Sequence, residues 1–221
     1  MNTRVRAVLF DLDGTLIDSA PDLASAANTL RAEHGLPALP YADLRPMVGS
    51  GARGMLGVAF GIGPGHARFD GLKDAFLTRY ERCLLERTRV FEAMLPVLQA
   101  LDQAGRPWGI VTNKAMRFAD PVIRGLGLHA RAAVVIAGDS TAHTKPHPEP
   151  LFEAARRMRV NAGDCVYIGD DARDVQAGRS AGMATLAAAW GYLGQGEPID
   201  AWGADRVLAL PGELLQWLDL A

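Results

Sequence analysis

The sequence predicts an α/β fold, a Rossmann-like parallel sheet with helices on both faces, into which an all-α helical cap is inserted. Two observations carry that expectation. Five short apolar runs rich in β-branched or aromatic residues recur along the chain, and helical patterns separate the later four from one another. Roughly a hundred residues lie between the first run and the second, far more than one crossover helix needs, and their periodicity is helical. At 221 residues the chain has room for a core domain with a modest insertion, since a domain takes about 100–200 residues.

The first run, residues 5–10, has the unbroken apolar character of a strand buried on both faces. The insertion follows. It opens at Ser19-Ala-Pro-Asp, a variant of the capping box with Pro21 near the first helical position, and then places Leu23, Ala26, Ala27 and Leu30 on one face before Gly35. Two further helical patterns span about 41–60 and 69–86. Residues 17–86 are therefore expected as a helical cap, with residues 1–16 and 87–221 forming the core. In the core, Pro96 is expected to open a helix whose apolar face is Leu98, Leu101 and Ala104 and which Gly105 closes. The strands "WGIVT" (108–112), "AVVIA" (133–137), "CVYIG" (165–169) and "ATLAAA" (184–189) complete a βαβ alternation. Right-handed crossovers would bring the C-terminal ends of these strands to one edge, where open α/β sheets bind ligands.

Composition narrows the function. Hydrophobic residues make up 49% and charged residues 22%, an ordinary globular balance, and the formal net charge of −2 argues against a broad nucleic-acid footprint. Cys83 and Cys165 are too few and too far apart for a disulfide framework or a cysteine zinc site. No stretch approaches the length of a membrane span, and the apolar run at the N-terminus is too short for a signal peptide. A cytoplasmic protein is expected, acting as a monomer or homodimer on a small molecule.

Four stretches close or follow predicted strands: "DLDGT" at 11–15, "VTNK" at 111–114, "HTKPHPEP" at 143–150 and "GDDARD" at 169–174. On the sheet they meet at one edge. They bring together Asp11, Asp13, Asp170, Asp171 and Asp174, the Thr112 hydroxyl, the Asn113 amide and the Lys145 ammonium. Buried carboxylates need a partner, and oxygen-only ligands suit Mg²⁺, which keeps waters and shares phosphate oxygens. A phosphate monoester would supply those oxygens, with Thr112, Asn113 and Lys145 holding the rest.

This ordered set resembles the four motifs of the haloacid dehalogenase superfamily of phosphatases across nearly the whole chain. The resemblance implies that Asp11 is the nucleophile that becomes an aspartyl phosphate and that Asp13 is the acid and then the base. It also implies a Mg²⁺ held by the Asp11 carboxylate, the Asp13 backbone carbonyl and Asp170. For Asp171 and Asp174 two readings stand, contact around the metal or the acidic first turn of a helix. Within the superfamily the chain resembles the phosphoglycolate phosphatase group. The stretches "GARGML", "WGIVTNKAMRFADP", "HTKPHPEP", "GDDARDVQAGRSAG" and "WGYLG" are similar to N-acetylmuramic acid 6-phosphate phosphatases. Both substrates pair a phosphate with a carboxylate, and Arg53 in the glycine-rich "VGSGARGML" stretch is the expected carboxylate contact. The same stretch is also readable as a plain loop.

Three alternatives share some of these residues. A sugar phosphomutase uses the same aspartyl phosphate, but that family usually has Glu-Asp where this chain has Gly169-Asp170. A dehalogenase has no need of an acid at Asp13. A receiver-like phosphoacceptor module, which is no enzyme, also combines acidic residues, Thr and Lys on a parallel sheet, but it has no use for a cap.

Overall fold

The computed structural model describes residues 5–220. Residues 1–4 and 221, which the expected core boundaries include, lie outside the described residues. The core is built on β1 (Ala7–Phe10), whose four residues are all fully buried. It is followed by the short β2 (Ile17–Asp18) and then by the helical insertion, comprising α1 (Ala20–Glu33), α2 (Tyr41–Leu44), a 3₁₀ helix (Arg45–Ser50), α3 (Gly51–Phe60) and α4 (Phe69–Arg82). The chain returns through β3 (Arg89–Val90) and continues as α5 (Met94–Gln103), β4 (Trp108–Val111), α6 (Met116–Gly125), β5 (Val134–Ile136) and α7 (Glu149–Met158). It ends with β6 (Cys165–Gly169), α8 (Ala172–Ser180), β7 (Ala184–Ala188), β8 (Arg206–Leu208) and α9 (Glu213–Trp217).

Six strands form a parallel sheet in the order β5-β4-β1-β6-β7-β8. Side chains alternate across a strand, so β1 feeds two separate cores. Val8 and Phe10 pack with α5, α6, α9 and the helical insertion, whereas Ala7 and Leu9 pack with α7 and α8. That double burial is why the strands read as unbroken apolar runs. All five expected strands are present. The sixth, β8, escaped the sequence reading because it is a three-residue edge strand whose Arg206 is exposed.

The insertion leaves and re-enters the core through the antiparallel pair β2–β3, with Ile17 opposite Val90 and Asp18 opposite Arg89. Two-residue strands carry no periodicity, so they too were invisible in the sequence. Leu23, Ala26, Ala27 and Leu30 of α1 are buried as expected. The capping box at Ser19 does not form. The Ser19 hydroxyl donates to Asp13 instead, and the backbone N–H groups of Ser19 and Ala20 donate to the Tyr192 hydroxyl, reached across the fold at 2.8 and 3.0 Å. α5 begins two residues before Pro96, and its buried face is Met94, Val97, Leu98 and Leu101. Ala104 lies past the end of the helix and is exposed.

Asp22, expected as the capping-box partner, is diverted as well. Its carboxylate is fully buried and accepts from the backbone N–H groups of Arg87 and Thr88 and from the Thr88 hydroxyl at 2.7 Å. It therefore ties α1 to the chain just before β3. Asp22→Ala strands these donors in a dry site, where each unmet group costs about 1–3 kcal/mol, and is expected to destabilise the fold by about 3 kcal/mol. Urea unfolding of the variant checks this, and an unchanged midpoint would remove the tie from any role in stability.

Candidate active site

The C-terminal ends of β1, β4 and β6 converge on one edge, where the insertion covers them and encloses a cavity of about 350 Å³. From the sheet side it is lined by Asp11, Asp13, Thr112, Asn113, Lys114 and Lys145, with Asp170, Asp171, Arg173 and Asp174 beside them. The insertion contributes Leu23, residues 48–52 where the 3₁₀ helix meets α3, Phe76, Leu77 and Tyr80.

Asp11 follows β1 directly, and its backbone N–H extends the β6 pairing by donating to the Ile168 carbonyl. One oxygen of each of Asp11, Asp170 and Asp174 falls within 4.8 Å of the others. Lys145, only 4% exposed, threads between two of them, 2.7 Å from Asp11 and 2.7 Å from Asp174, and also donates to the Tyr167 hydroxyl and the Val111 carbonyl. Only Oδ1 of Asp11 accepts a hydrogen bond from the described residues, so Oδ2 is uncommitted at the cavity.

The electrostatics follow from burial. Loss of water is the main force raising Asp11 to about 7; Lys145 opposes the rise, and the charge of Asp174 adds to it. Burial also holds Asp170 well above the usual carboxylate range, with Asp11 and Asp174 adding to the effect. Burial disfavours the Lys145 ammonium, yet the two carboxylates outweigh it and the pKa is raised. The site thus gathers three carboxyl groups about one lysine. Its donors are hard oxygens at a spacing that suits a divalent cation such as Mg²⁺.

Asp170 is held by the Thr15 hydroxyl at 3.1 Å and the Tyr192 backbone N–H at 2.7 Å. The chain passes so close that side chains are excluded on two sides. A Cβ on Gly14, whose φ is +86°, or on Gly191 would sit 2.1 Å from Asp170 atoms. The "WGYLG" segment after β7, read from sequence as able to border the site, thus forms one wall of the Asp170 pocket.

Asp171 and Asp174 both serve the first turn of α8. Asp171 is the N-cap and accepts from the Arg173 backbone N–H, while Asp174 accepts from the Asp171 backbone N–H. Only Asp174 belongs in addition to the carboxylate trio. Asp171 is engaged by the Arg173 guanidinium, which also reaches the Gly49 carbonyl of the insertion.

The Asp13 carboxylate lies outside the trio. It accepts from the Ser19 hydroxyl and from Lys114 at 2.9 Å. Sequence reasoning assigns Lys114 no role, and its position directly after Thr112 and Asn113 in "VTNK" is the one signal for it. Thr112 is buried at the cavity wall and accepts from the Lys114 backbone N–H, which leaves its own O–H to donate. Asn113 lines the cavity, but its amide clamps the Lys145 backbone in both directions, at 2.9 and 3.0 Å. Arg53 is exposed on α3 and does not line the cavity, although its neighbours Gly51 and Ala52 do.

Comparisons with known proteins agree with this architecture. The family of haloacid dehalogenase-like hydrolases matches residues 5–182. A phosphoglycolate phosphatase of Xanthomonas campestris pv. campestris (strain 8004) is 49% identical over 210 residues, covering 95% of this chain and 94% of that protein. An N-acetylmuramic acid 6-phosphate phosphatase of Pseudomonas putida is 40% identical over 218 residues, covering 99% of this chain and 98% of that protein. Among solved structures, one described as a predicted phosphoglycolate phosphatase from Haemophilus somnus 129pt superposes with a TM-score of 0.86 at 26% identity, covering 98% of this chain and 99% of that chain. Sequence, sheet order and the family match over most of the chain converge, and the protein belongs to the haloacid dehalogenase-like hydrolase family.

Proposed function

We propose that the protein is a Mg²⁺-dependent phosphatase that hydrolyses a small phosphate monoester through an aspartyl phosphate on Asp11. The observation that carries this reading is the Asp11 carboxylate at the cavity, one oxygen bound by buried Lys145 and the other uncommitted, with Asp170 and Asp174 alongside. The Asp11 and Asp170 carboxylates, with the Asp13 backbone carbonyl, would hold the Mg²⁺, and Asp174 would support them. Bound there, Mg²⁺ would offset the repulsion between a carboxylate and a phosphate dianion.

The chain's own residues account for the remaining steps. Oδ2 of Asp11 attacks phosphorus as the ester P–O bond breaks, and Asp13 protonates the departing oxygen. Asp13 then takes a proton from water, whose oxygen attacks phosphorus and breaks the bond to Asp11, releasing inorganic phosphate. Lys114 and Ser19 fix the direction of the Asp13 carboxyl group throughout. Thr112 and Lys145 hold phosphate oxygens, and Asn113 keeps Lys145 in place. Residues 17–86 act as a cap that limits access of water to the core formed by the remaining chain.

The phosphomutase alternative is weakened by the backbone at residue 169. A Cβ on Gly169 would lie 2.3 Å from Asp174, so this arrangement has no room for the glutamate that such enzymes usually carry there. The substrate is proposed to join a phosphate to a carboxylate, as the substrates named for the relatives from Xanthomonas and Pseudomonas both do. Arg53 would meet that carboxylate only by turning from its exposed position toward the cavity.

Three measurements test the chemistry. Hydrolysis of an aryl phosphate is expected to stop in EDTA and to return with added Mg²⁺; full activity in the chelator would refute the metal requirement. Asp11→Asn is expected to abolish both turnover and the acid-stable phosphoenzyme, because an amide is no nucleophile at phosphorus. Asp13→Asn should slow alkyl phosphates by about 10²–10⁴-fold. It should slow phosphorylation by an activated aryl phosphate much less, since that leaving group departs without a proton. Equal losses on the two esters would take the acid's role away from Asp13.

A further inference from the structure

Tyr80 projects from α4 into the wall of the cavity and is 2% exposed. Its hydroxyl is the one buried side-chain nitrogen or oxygen among the described residues that has no hydrogen-bond partner. Folded proteins leave few such atoms unpaired, and one at the wall of a ligand cavity calls for an explanation in terms of the ligand. Neighbouring groups fix the ring, and none of them accepts the phenolic proton. Phe118 packs against it with centroids 5.7 Å apart, and the Lys114 ammonium lies over it, 4.8 Å from the centroid. An ammonium is a donor only, so Lys114 has no lone pair to accept the phenolic proton. Burial also pushes the Tyr80 hydroxyl up to about 12, which keeps that proton in place at neutral pH.

The rest of the cavity narrows what the hydroxyl can meet. Each lining cation already has an anionic partner: Lys145 has Asp11 and Asp174, Lys114 has Asp13, and Arg173 has Asp171. Apart from Lys114 over its ring, the wall around Tyr80 is apolar, with Leu23, Leu77 and Phe118. One neutral donor set in an apolar wall suits a ring that presents a C–H face and an oxygen acceptor together. It suits a short, fully charged acid poorly.

We propose that Tyr80 is a specificity residue that donates a hydrogen bond to a hydroxyl, ether or acyl oxygen of a sugar-sized leaving group, whose apolar face rests on Leu77 and Phe118. The inference rests on the phosphatase reading and deepens it. Of the two carboxylate-bearing substrates, it selects the sugar phosphate over phosphoglycolate.

The test compares wild type with Tyr80→Phe on N-acetylmuramic acid 6-phosphate, glucose 6-phosphate, phosphoglycolate and an aryl phosphate, together with the melting temperature of each free protein. The variant keeps the ring and removes only the unpaired hydroxyl. Its melting temperature should be unchanged or raised, because no hydrogen bond within the fold is lost. Its kcat/KM should fall about five- to tenfold for the two sugar phosphates, a factor typical of one neutral hydrogen bond. For phosphoglycolate and the aryl phosphate it should stay within about twofold on the same grounds. A lowered melting temperature with equal losses on all four esters would make Tyr80 a packing residue and overturn the inference, as would a loss confined to phosphoglycolate. If the wild type leaves even the aryl phosphate intact, the phosphatase reading falls and the inference falls with it.

Discussion

The site depends on a charge imbalance that the fold has to contain. Asp11, Asp170 and Asp174 crowd one sheet edge, and Lys145 is the one ammonium placed between two of them. Carboxylates so placed repel one another and lose their water, which is why burial and mutual charge raise Asp11 and Asp170. Much of the nearby backbone serves to keep that lysine in position. Asn113 binds its peptide on both sides, and the Tyr167 hydroxyl and the Val111 carbonyl accept hydrogen bonds from its ammonium. More carboxyl groups than one ammonium can pair, held at a rigid edge, form the ligand set that is proposed to draw in a cation, and through it a phosphate.

The same crowding explains where the chain has no side chains. Gly14 and Gly191 close over Asp170, Gly169 lies against Asp174, and a Cβ at any of the three would intrude on a carboxylate. The acidic residues are thus held by shape as well as by hydrogen bonds. Tyr192 links the halves of the molecule in the same region. Its backbone N–H binds Asp170, while its hydroxyl takes two N–H groups at the start of α1 and donates to Asp18. The orientation of the helical insertion is in this way set from the carboxylate pocket itself.

Much of this was legible in the sequence, for reasons visible in particular residues. The five main strands are buried on both faces, so their apolar runs carry a signal that neighbours cannot disguise. Asp11, Asp13, Thr112 and Asp170 lie at or just past strand ends and Lys145 lies in the loop that follows β5, where a linear reading already places ligand-binding groups. What stayed hidden depends on partners far along the chain. Ser19 and Asp22 look like a local cap, yet the start of α1 is served by Tyr192, 173 positions away from Ser19, and Asp22 by Thr88, 66 positions on. Lys114 had only its place in "VTNK", and Tyr80 looked like any aromatic on an amphipathic helix. Its unpaired hydroxyl is a three-dimensional fact with no counterpart in composition or period.

The two parts of the cavity divide the work by chemistry. The sheet edge contributes nearly all the charge, at positions fixed by strand ends and therefore suited to a transformation that every phosphate ester shares. The insertion contributes mostly apolar side chains and Tyr80, together with the glycine-rich residues 48–52 where the 3₁₀ helix meets α3. Arg173 spans the boundary, bound to Asp171 on the sheet side and to the Gly49 carbonyl on the other. A group that binds both parts ties the end of the 3₁₀ helix to the first turn of α8, in which Asp174 of the carboxylate trio lies. On the proposed reading, discrimination between leaving groups can change through residues such as Leu77 and Tyr80 without disturbing Asp11 or Lys145, because the residues proposed to choose the substrate and those proposed to transform it stand on separate elements.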